Sequence, residues 1–256
     1  MNDLKKIAIE CSNKIIKAKK NGKVIQKPYK HLIIDDFFPN ELAKDCLNAF
    51  PDLDADIWDK SNDPDIEIKM RSNYQSEFDF PKEINKVVRI MNSSMFLKAM
   101  SAALDIPKLV PDPYYSGGGL NVTVSGGLLD VHVDGNYHDA TGLNRRVNAI
   151  LFLNPGWKKE WGGEYGVYDN KGEELVEAVA PLMNRLVIFD THDFSFHGTP
   201  NPIKFPKGTA RRSVILYYYT KEPRPSSQIS VEKPHSALWK KKNFTDKKGN
   251  VTREYK

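Results

Sequence analysis

Apolar residues recur at every third or fourth position from residue 3 to residue 20. Leu4, Ile7, Ala8, Cys11, Ile15 and Ala18 then share one face of an amphipathic helix. The segment Tyr29-Lys-His-Leu-Ile-Ile-Asp-Asp-Phe-Phe38 is short, β-branched and aromatic, and stops at Pro39, which predicts a buried strand. Pro39-Asn40 opens a second helical run through Phe50. Residues 51–80 are acidic and aperiodic, and are expected to form a long irregular surface excursion. Helical spacing returns over 81–104, with Ile84, Val87, Val88, Met91, Met95 and Leu97 as its apolar set.

After Pro111 the period changes to that of strands. Short β-rich pieces alternate with Gly, Pro, Asn and Asp, which predicts strands at about 119–124, 129–134, 147–153, 164–169, 174–180, 185–191, 195–199 and 210–220. Strands at this pitch suggest a sandwich or jelly-roll barrel whose alternate side chains face an interior. The expected architecture is α+β. A jelly-roll core over 111–220 is buttressed by a helical part, 1–110, with one or two strands, and the two form a single domain over 1–220.

Composition narrows the class. With 256 residues, 40% hydrophobic and 11% aromatic, the chain can bury a large core, and collagen-like, coiled-coil and wholly disordered classes are excluded. No apolar run approaches the ~18 residues of a membrane span, and the amino terminus lacks the apolar stretch and cleavage site of a secretory leader. Two cysteines, Cys11 and Cys46, cannot staple a secreted scaffold, so a cytoplasmic location is expected. The net charge of +5 sits in one place: residues 221–256 carry +6 and the remainder −1. This basic C-terminal extension is expected to be solvated. Without a zinc finger, an RNP-type aromatic motif or a Walker loop, neither nucleic acid nor membrane is an expected partner.

Three polar segments interrupt the strands: Val131-His132-Val133-Asp134, Phe196-His197-Gly198 and Arg211-Arg212-Ser213. Residues i and i+2 of a strand share a face, so His132 and Asp134 point inward together between outward Val131 and Val133. An imidazole and a carboxylate in an apolar interior need a partner. A divalent metal answers that need, with His197 as third ligand, and two His with one carboxylate is the facial triad of non-haem iron(II) oxygenases. A single HxD is weak evidence, since about half of one is expected by chance at this composition. Read alone, His132 is a core histidine and Asp134 a turn residue before Gly135. The order of the three segments favours the metal.

Alternation in the last strand puts Arg211, Ser213, Ile215 and Tyr217 on one face, and Arg212, Val214, Leu216 and Tyr218 on the other. An inward guanidinium needs an anion, and its fork suits a carboxylate such as the remote one of 2-oxoglutarate, with the Ser213 hydroxyl as an added donor. Arg212 is expected at the surface. Arg145 and Arg146 read as a solvated strand start. His138 and Asp139 lie in a loop that is either a substrate lid or plain surface. His192 is the second choice for a metal ligand. His31 and His235 are expected to be structural or solvated, and Trp157 and Trp161 to form an aromatic strand corner.

These segments together resemble the iron(II)/2-oxoglutarate-dependent oxygenase superfamily, in its prolyl-4-hydroxylase-like branch. The resemblance is carried by Gly117-Gly-Gly-Leu-Asn-Val-Thr-Val-Ser-Gly-Gly-Leu-Leu-Asp-Val-His-Val-Asp134, Arg145-Arg-Val-Asn-Ala-Ile-Leu-Phe-Leu-Asn154, Trp161-Gly-Gly-Glu164, Asn184-Arg-Leu-Val-Ile-Phe-Asp190, Ser195-Phe-His-Gly198 and Arg211-Arg-Ser-Val-Ile-Leu-Tyr-Tyr-Tyr219. It covers about residues 114–220, and the tail not at all. It implies a double-stranded β-helix, with His132, Asp134 and His197 as metal ligands and as the catalytic set, and with Arg211 and Ser213 binding 2-oxoglutarate. The implied cofactors are Fe(II), 2-oxoglutarate and O2, with ascorbate supportive, and the implied reaction hydroxylates a C–H bond of a prolyl residue in a protein or peptide. Members of this branch often offer a Tyr to the cosubstrate where this chain has Asn121 and Thr123, or Asn148 and Phe152. Asn121 and Asn148 are therefore expected as further cosubstrate contacts. Three other readings stand beside this one: the same chemistry on a small-molecule metabolite, a non-catalytic jelly-roll binding module, and a zinc hydrolase, which leaves Arg211 without a role.

Overall fold

The computed structural model describes residues 3–246. Four helices, α1 (Asp3–Lys20), α2 (Asn40–Asn48), α3 (Lys82–Met91) and α4 (Ser94–Leu104), form one layer. The helical spacing over 81–104 is divided at Asn92-Ser93, where Ser93 Oγ accepts from the Phe96 amide and caps α4.

The strands are β1 (His31–Ile34), β2 (Trp58–Asp63), β3 (Glu67–Ser72), β4 (Val110–Pro111), β5 (Gly119–Thr123), β6 (Leu128–Leu129), β7 (His132–Val133), β8 (Asn144–Phe152), β9 (Tyr165–Tyr168), β10 (Leu175–Val179), β11 (Arg185–Asp190), β12 (His197–Gly198), β13 (Arg211–Thr220) and β14 (Leu238–Trp239). They make two antiparallel sheets. The larger runs β1-β11-β8-β13-β5-β3-β2, with β4 on β13 and β6 on β3; the smaller runs β10-β9-β12-β7-β14. The expected α+β jelly roll is the fold observed.

Alternation along the strands divides the interior into layers. Leu120 and Val122 of β5, Val147, Ala149 and Leu151 of β8, Leu186 and Ile188 of β11, and Val214, Leu216 and Tyr218 of β13 pack with the helices in the main core. The intervening Ile150, Phe152, Val187 and Phe189 face the smaller sheet and meet Tyr165, Val167 and Val179 there. A third cluster, Val133, Tyr168, Phe196 and Leu238, lies on the other side of the smaller sheet. The barrel interior is thus walled by apolar layers on both sides.

Two expectations need correction. Residues 51–80 are not irregular: β2 and β3 form a hairpin paired from Trp58↔Ser72 to Asp63↔Glu67, docked onto β5 through Met70↔Val122 and Arg71↔Asn121. Its outer strand, WDKSND, is largely exposed and so lacks the apolar alternation that marks a half-buried strand. The basic extension is not a solvated tail over its described part. Arg224, His235, Leu238 and Trp239 are all buried, and β14 pairs with β7. No helix among the described residues is long and apolar enough to cross a membrane.

Candidate metal centre

The short strand β7 delivers His132 and, just past its end, Asp134 to the barrel interior, while Val133 turns to the outer cluster. His197 on β12 stands directly opposite His132. The structure brings His132, Asp134 and His197 together, with one donor atom from each lying within 4.8 Å of the other two. His132 Nε2 is 3.8 Å from Asp134 Oδ1, and His197 Nε2 is 3.5 Å from Asp134 Oδ2. Donors about 2.1 Å from one ion lie roughly 3–3.5 Å apart, so the gap is ion-sized.

Each imidazole is aimed by its other nitrogen. His132 Nδ1–H donates to the Asp130 carbonyl at 2.8 Å and His197 Nδ1–H to the Ser195 carbonyl at 3.0 Å, which leaves both Nε2 atoms as acceptors toward Asp134. Burial pulls His132 down to about 3, and the neighbouring His197 adds to this against the opposing pull of Asp134. His197 is lowered as well, again chiefly by burial. For Asp134, burial alone would raise the carboxyl. Arg145, His197, His132 and the Asn148 amide outweigh it and hold the group well below the usual carboxylate range. Two neutral imidazoles and a carboxylate are the protonation states that metal ligation requires.

The triad opens into a cavity of about 80 Å³, also lined by Lys69, Asn121, Thr123, Asn148, Ile150, Tyr165, Arg211, Ile215 and Tyr217. Arg211 lies on this side and Arg212 on the other, as alternation requires. The Arg211 guanidinium rests 4.8 Å from the Phe152 ring centroid, and its Nε donates to the Gly163 carbonyl at 2.6 Å. Burial draws it down to about 10, partly offset by Glu164, so it stays a cation at neutral pH. Near it, Ser213 Oγ and Asn121 Nδ2 are buried with no partner. A buried polar group left unsatisfied costs about 1–3 kcal/mol. A cation and an orphaned amide lining one cavity, with the orphaned Ser213 hydroxyl two residues along β13 from Arg211, fit a group rich in oxygen acceptors, and the donor set beside them fits a divalent ion.

Asn148 is engaged elsewhere than expected from the resemblance alone: its Nδ2 donates to Asp134 Oδ2 at 2.7 Å. Arg145 is not the solvated strand start its sequence suggests. Its Nη2 lies 3.4 Å from Asp134 Oδ1, its Nε donates to Asn148 Oδ1 at 3.0 Å, and its guanidinium stacks 3.4 Å from the Tyr217 ring centroid. The cause is a bulge. The pairing of β13 with β8 steps from Tyr218↔Val147 to Tyr219↔Arg145, and this extra residue reverses the inward and outward positions. His138 is neither lid nor surface. It is buried, its Nε2 2.9 Å from Asp112 Oδ1, and its Nδ1 accepts from the Ala140 amide. His192 stays outside the cluster, edge-on to Tyr29. His31 and His235 are buried structural residues. Trp161 packs on Phe205 as a corner residue. Of the other cavity residues, Tyr165 carried no sequence signal beyond its place on a strand, and Lys69 lay in the stretch expected to be irregular.

Residues 118–219, which contain His132, Asp134 and His197, match the family model of the 2OG-Fe(II) oxygenase superfamily. This part of the chain is similar to that superfamily. The chain is 30% identical over 86 residues to mouse prolyl 3-hydroxylase OGFOD1, and 31% identical over 106 residues to the Xenopus laevis protein of that name. These matches take in 32% and 38% of this chain but span only 15% and 20% of the relatives' lengths. In fold, the chain is similar to a Trichoplax adhaerens prolyl hydroxylase solved with a hypoxia inducible factor peptide fragment. The TM-score is 0.60 at 16% identity, over 86% of this chain and 93% of that one. It is also similar to a Pseudomonas putida prolyl-4-hydroxylase, with a TM-score of 0.52 at 17% identity over 82% and 98% of the two chains.

Proposed function

We propose that the protein is an iron(II)- and 2-oxoglutarate-dependent dioxygenase that hydroxylates a C–H bond of a prolyl residue in a protein or peptide. The observation that carries this reading is the convergence of His132, Asp134 and His197 on one ion-sized gap, in a cavity that also holds the Arg211 cation. The prolyl assignment is supported by the names of the relatives and structural neighbours, which share prolyl hydroxylation but differ between the 3- and 4-positions.

His132, Asp134 and His197 hold the ion. Bound there, iron(II) supplies the coupling of 2-oxoglutarate breakdown by dioxygen, to succinate and carbon dioxide, with C–H hydroxylation. Arg211 takes the far carboxylate of 2-oxoglutarate, and Ser213 and Asn121 supply polar partners beside it. Asn148 and Arg145 fix the Asp134 carboxylate by hydrogen bond and charge, so its oxygens keep one orientation. Leu128, Leu129, Ile150 and Ile215 keep water from the reacting atoms. Cys11 and Cys46 are free and buried, which suits the reducing cytoplasm.

The test is succinate release from 2-oxoglutarate in the presence of iron(II) and ascorbate. The wild-type chain is expected to turn over, and Asp134→Ala to fall by on the order of 100-fold or more. Equal release from the two overturns the reading. Mass spectrometry for one added oxygen, on proline-containing peptides and on cell metabolites, then decides the substrate class.

A further inference from the structure

His132 has a strand on each side: β12 on one edge of β7 and β14 on the other. Residues directly opposite one another on adjacent strands share a face. His197 stands opposite His132 on β12, and Trp239 stands opposite it on β14. The three rings therefore form a row. His132 and His197 have centroids 4.3 Å apart, and Trp239 lies stacked on the other side of His132 at 4.4 Å and 26°. The metal centre accounts for His197 in this row. It does not account for Trp239, which offers no donor and lies outside the family-matched residues.

The Nδ1 hydrogen bond to Asp130 aims His132 but leaves its ring free to tilt about that contact. A flat aromatic face against the imidazole removes this freedom. We propose that Trp239 is a positioning residue for the metal ligand His132, so that the segment carrying it is a wall of the metal centre. This rests on the reading of His132, Asp134 and His197 as ligands of a divalent ion. The segment reaches His132 by a second route as well: the Lys241 amide donates to Asp130 Oδ2 at 2.9 Å, and Asp130 is the residue whose carbonyl receives His132 Nδ1–H. Stack and support thus arrive on consecutive stretches of one chain. The segment is fixed independently of the metal, by Leu238 packing in the outer cluster and by Lys242 Nζ on Asp63 Oδ2 at 2.9 Å.

Cobalt(II) binding to the full chain tests this, read by calorimetry and by tryptophan emission. Trp239→Leu keeps apolar bulk without a flat face and is expected to bind cobalt(II) about 10-fold or more weakly, while Trp239→Phe stays within about threefold of wild type. Cobalt(II) is also expected to quench a larger fraction of the emission in wild type than in Trp239→Phe, because only wild type has an indole against a ligand. Wild-type affinity in a folded Trp239→Leu overturns the proposal. Should that variant not fold, equal fractional quenching of wild type and Trp239→Phe overturns it. His132→Ala separates the two levels of argument: if wild type and His132→Ala bind cobalt(II) alike, the metal-centre reading itself fails, and the positioning role with it. If His132→Ala loses binding while Trp239→Leu retains it, the positioning role alone fails.

Discussion

Arg211 and Arg212 are neighbours in the chain with opposite surroundings. The first lines the metal cavity, while the second borders a groove with Phe50 and Trp161, its backbone amide donating to Asn154 Oδ1. A charge-assisted hydrogen bond contributes about 1.5–3 kcal/mol, so Arg211→Ala is expected to raise the 2-oxoglutarate requirement roughly 10- to 100-fold. Arg212→Ala is expected to leave it within about twofold. Succinate release over a range of 2-oxoglutarate concentrations checks both, and a reversed result would show that the face assignment of β13 is wrong. This assignment was legible because Arg211 to Ile215 pair with β5 without a break in register, so plain alternation holds there. His132 and Asp134 were legible for the same reason. Arg145 was not, because the bulge opposite Tyr218 and Tyr219 shifts the count by one, and nothing in Asn-Arg-Arg-Val announces an extra residue.

At the scale of elements, the turn from Trp161 into β9 sets the depth of Arg211. Gly163 has φ 85°, and a Cβ there would lie 3.0 Å from Arg211 Cδ. Gly156 has a similar φ of 63° but no neighbour within 4 Å of a Cβ. Gly→Ala at either position carries the left-handed backbone cost of roughly 1–2 kcal/mol. Only Gly163→Ala is expected also to displace the guanidinium and raise the 2-oxoglutarate requirement. Denaturant unfolding and succinate assays on the two variants separate strain from displacement; matching cosubstrate requirements would refute the role given to the turn. The jelly-roll strands were readable because Gly, Pro and Asn punctuate alternating runs. The β2–β3 hairpin escaped because its outer strand buries only Trp58 and leaves no apolar alternation, although its inner strand still delivers Lys69 to the cavity.

For the molecule as a whole, the segment after β13 is held near its start by one buried carboxylate, in addition to Leu238 and Lys242 further along. Asp193 Oδ1 accepts from Arg224 Nη1 at 2.9 Å and meets His235 Nε2 at 3.4 Å, and Oδ2 accepts from the amides of Ser230 and Val231. Burial alone would raise Asp193, but His235, Arg224 and the two amides outweigh it and bring the group to about 2. Its folded value lies below the unfolded one of about 3.9, so its stabilisation is complete above pH ~4 and fades as pH falls toward 2. Asp193→Asn leaves Arg224 buried without its counter-charge and is expected to cost on the order of 3 kcal/mol at pH 7. The gap to wild type should narrow by on the order of 2 kcal/mol between pH 5 and pH 2. Denaturant titrations across that range check this, and a constant gap would remove Asp193 as the anchor. Sequence alone gave no hint of the arrangement: charge excess marks a segment as basic, but only tertiary contacts reveal that Arg224 and Trp239 are interior.

The smaller sheet also closes out of chain order, and this bears on how the protein is made. β7 can meet β12 once Gly198 has left the ribosome, but its other edge waits for Leu238 and Trp239, roughly 2–8 s later at about 5–20 residues per second. Throughout that interval the nascent chain carries His132 on a bare edge, open to pairing with foreign strands. Arrival of β14 ends the exposure, so the last of the described strands to be translated is also the lid on a folding hazard.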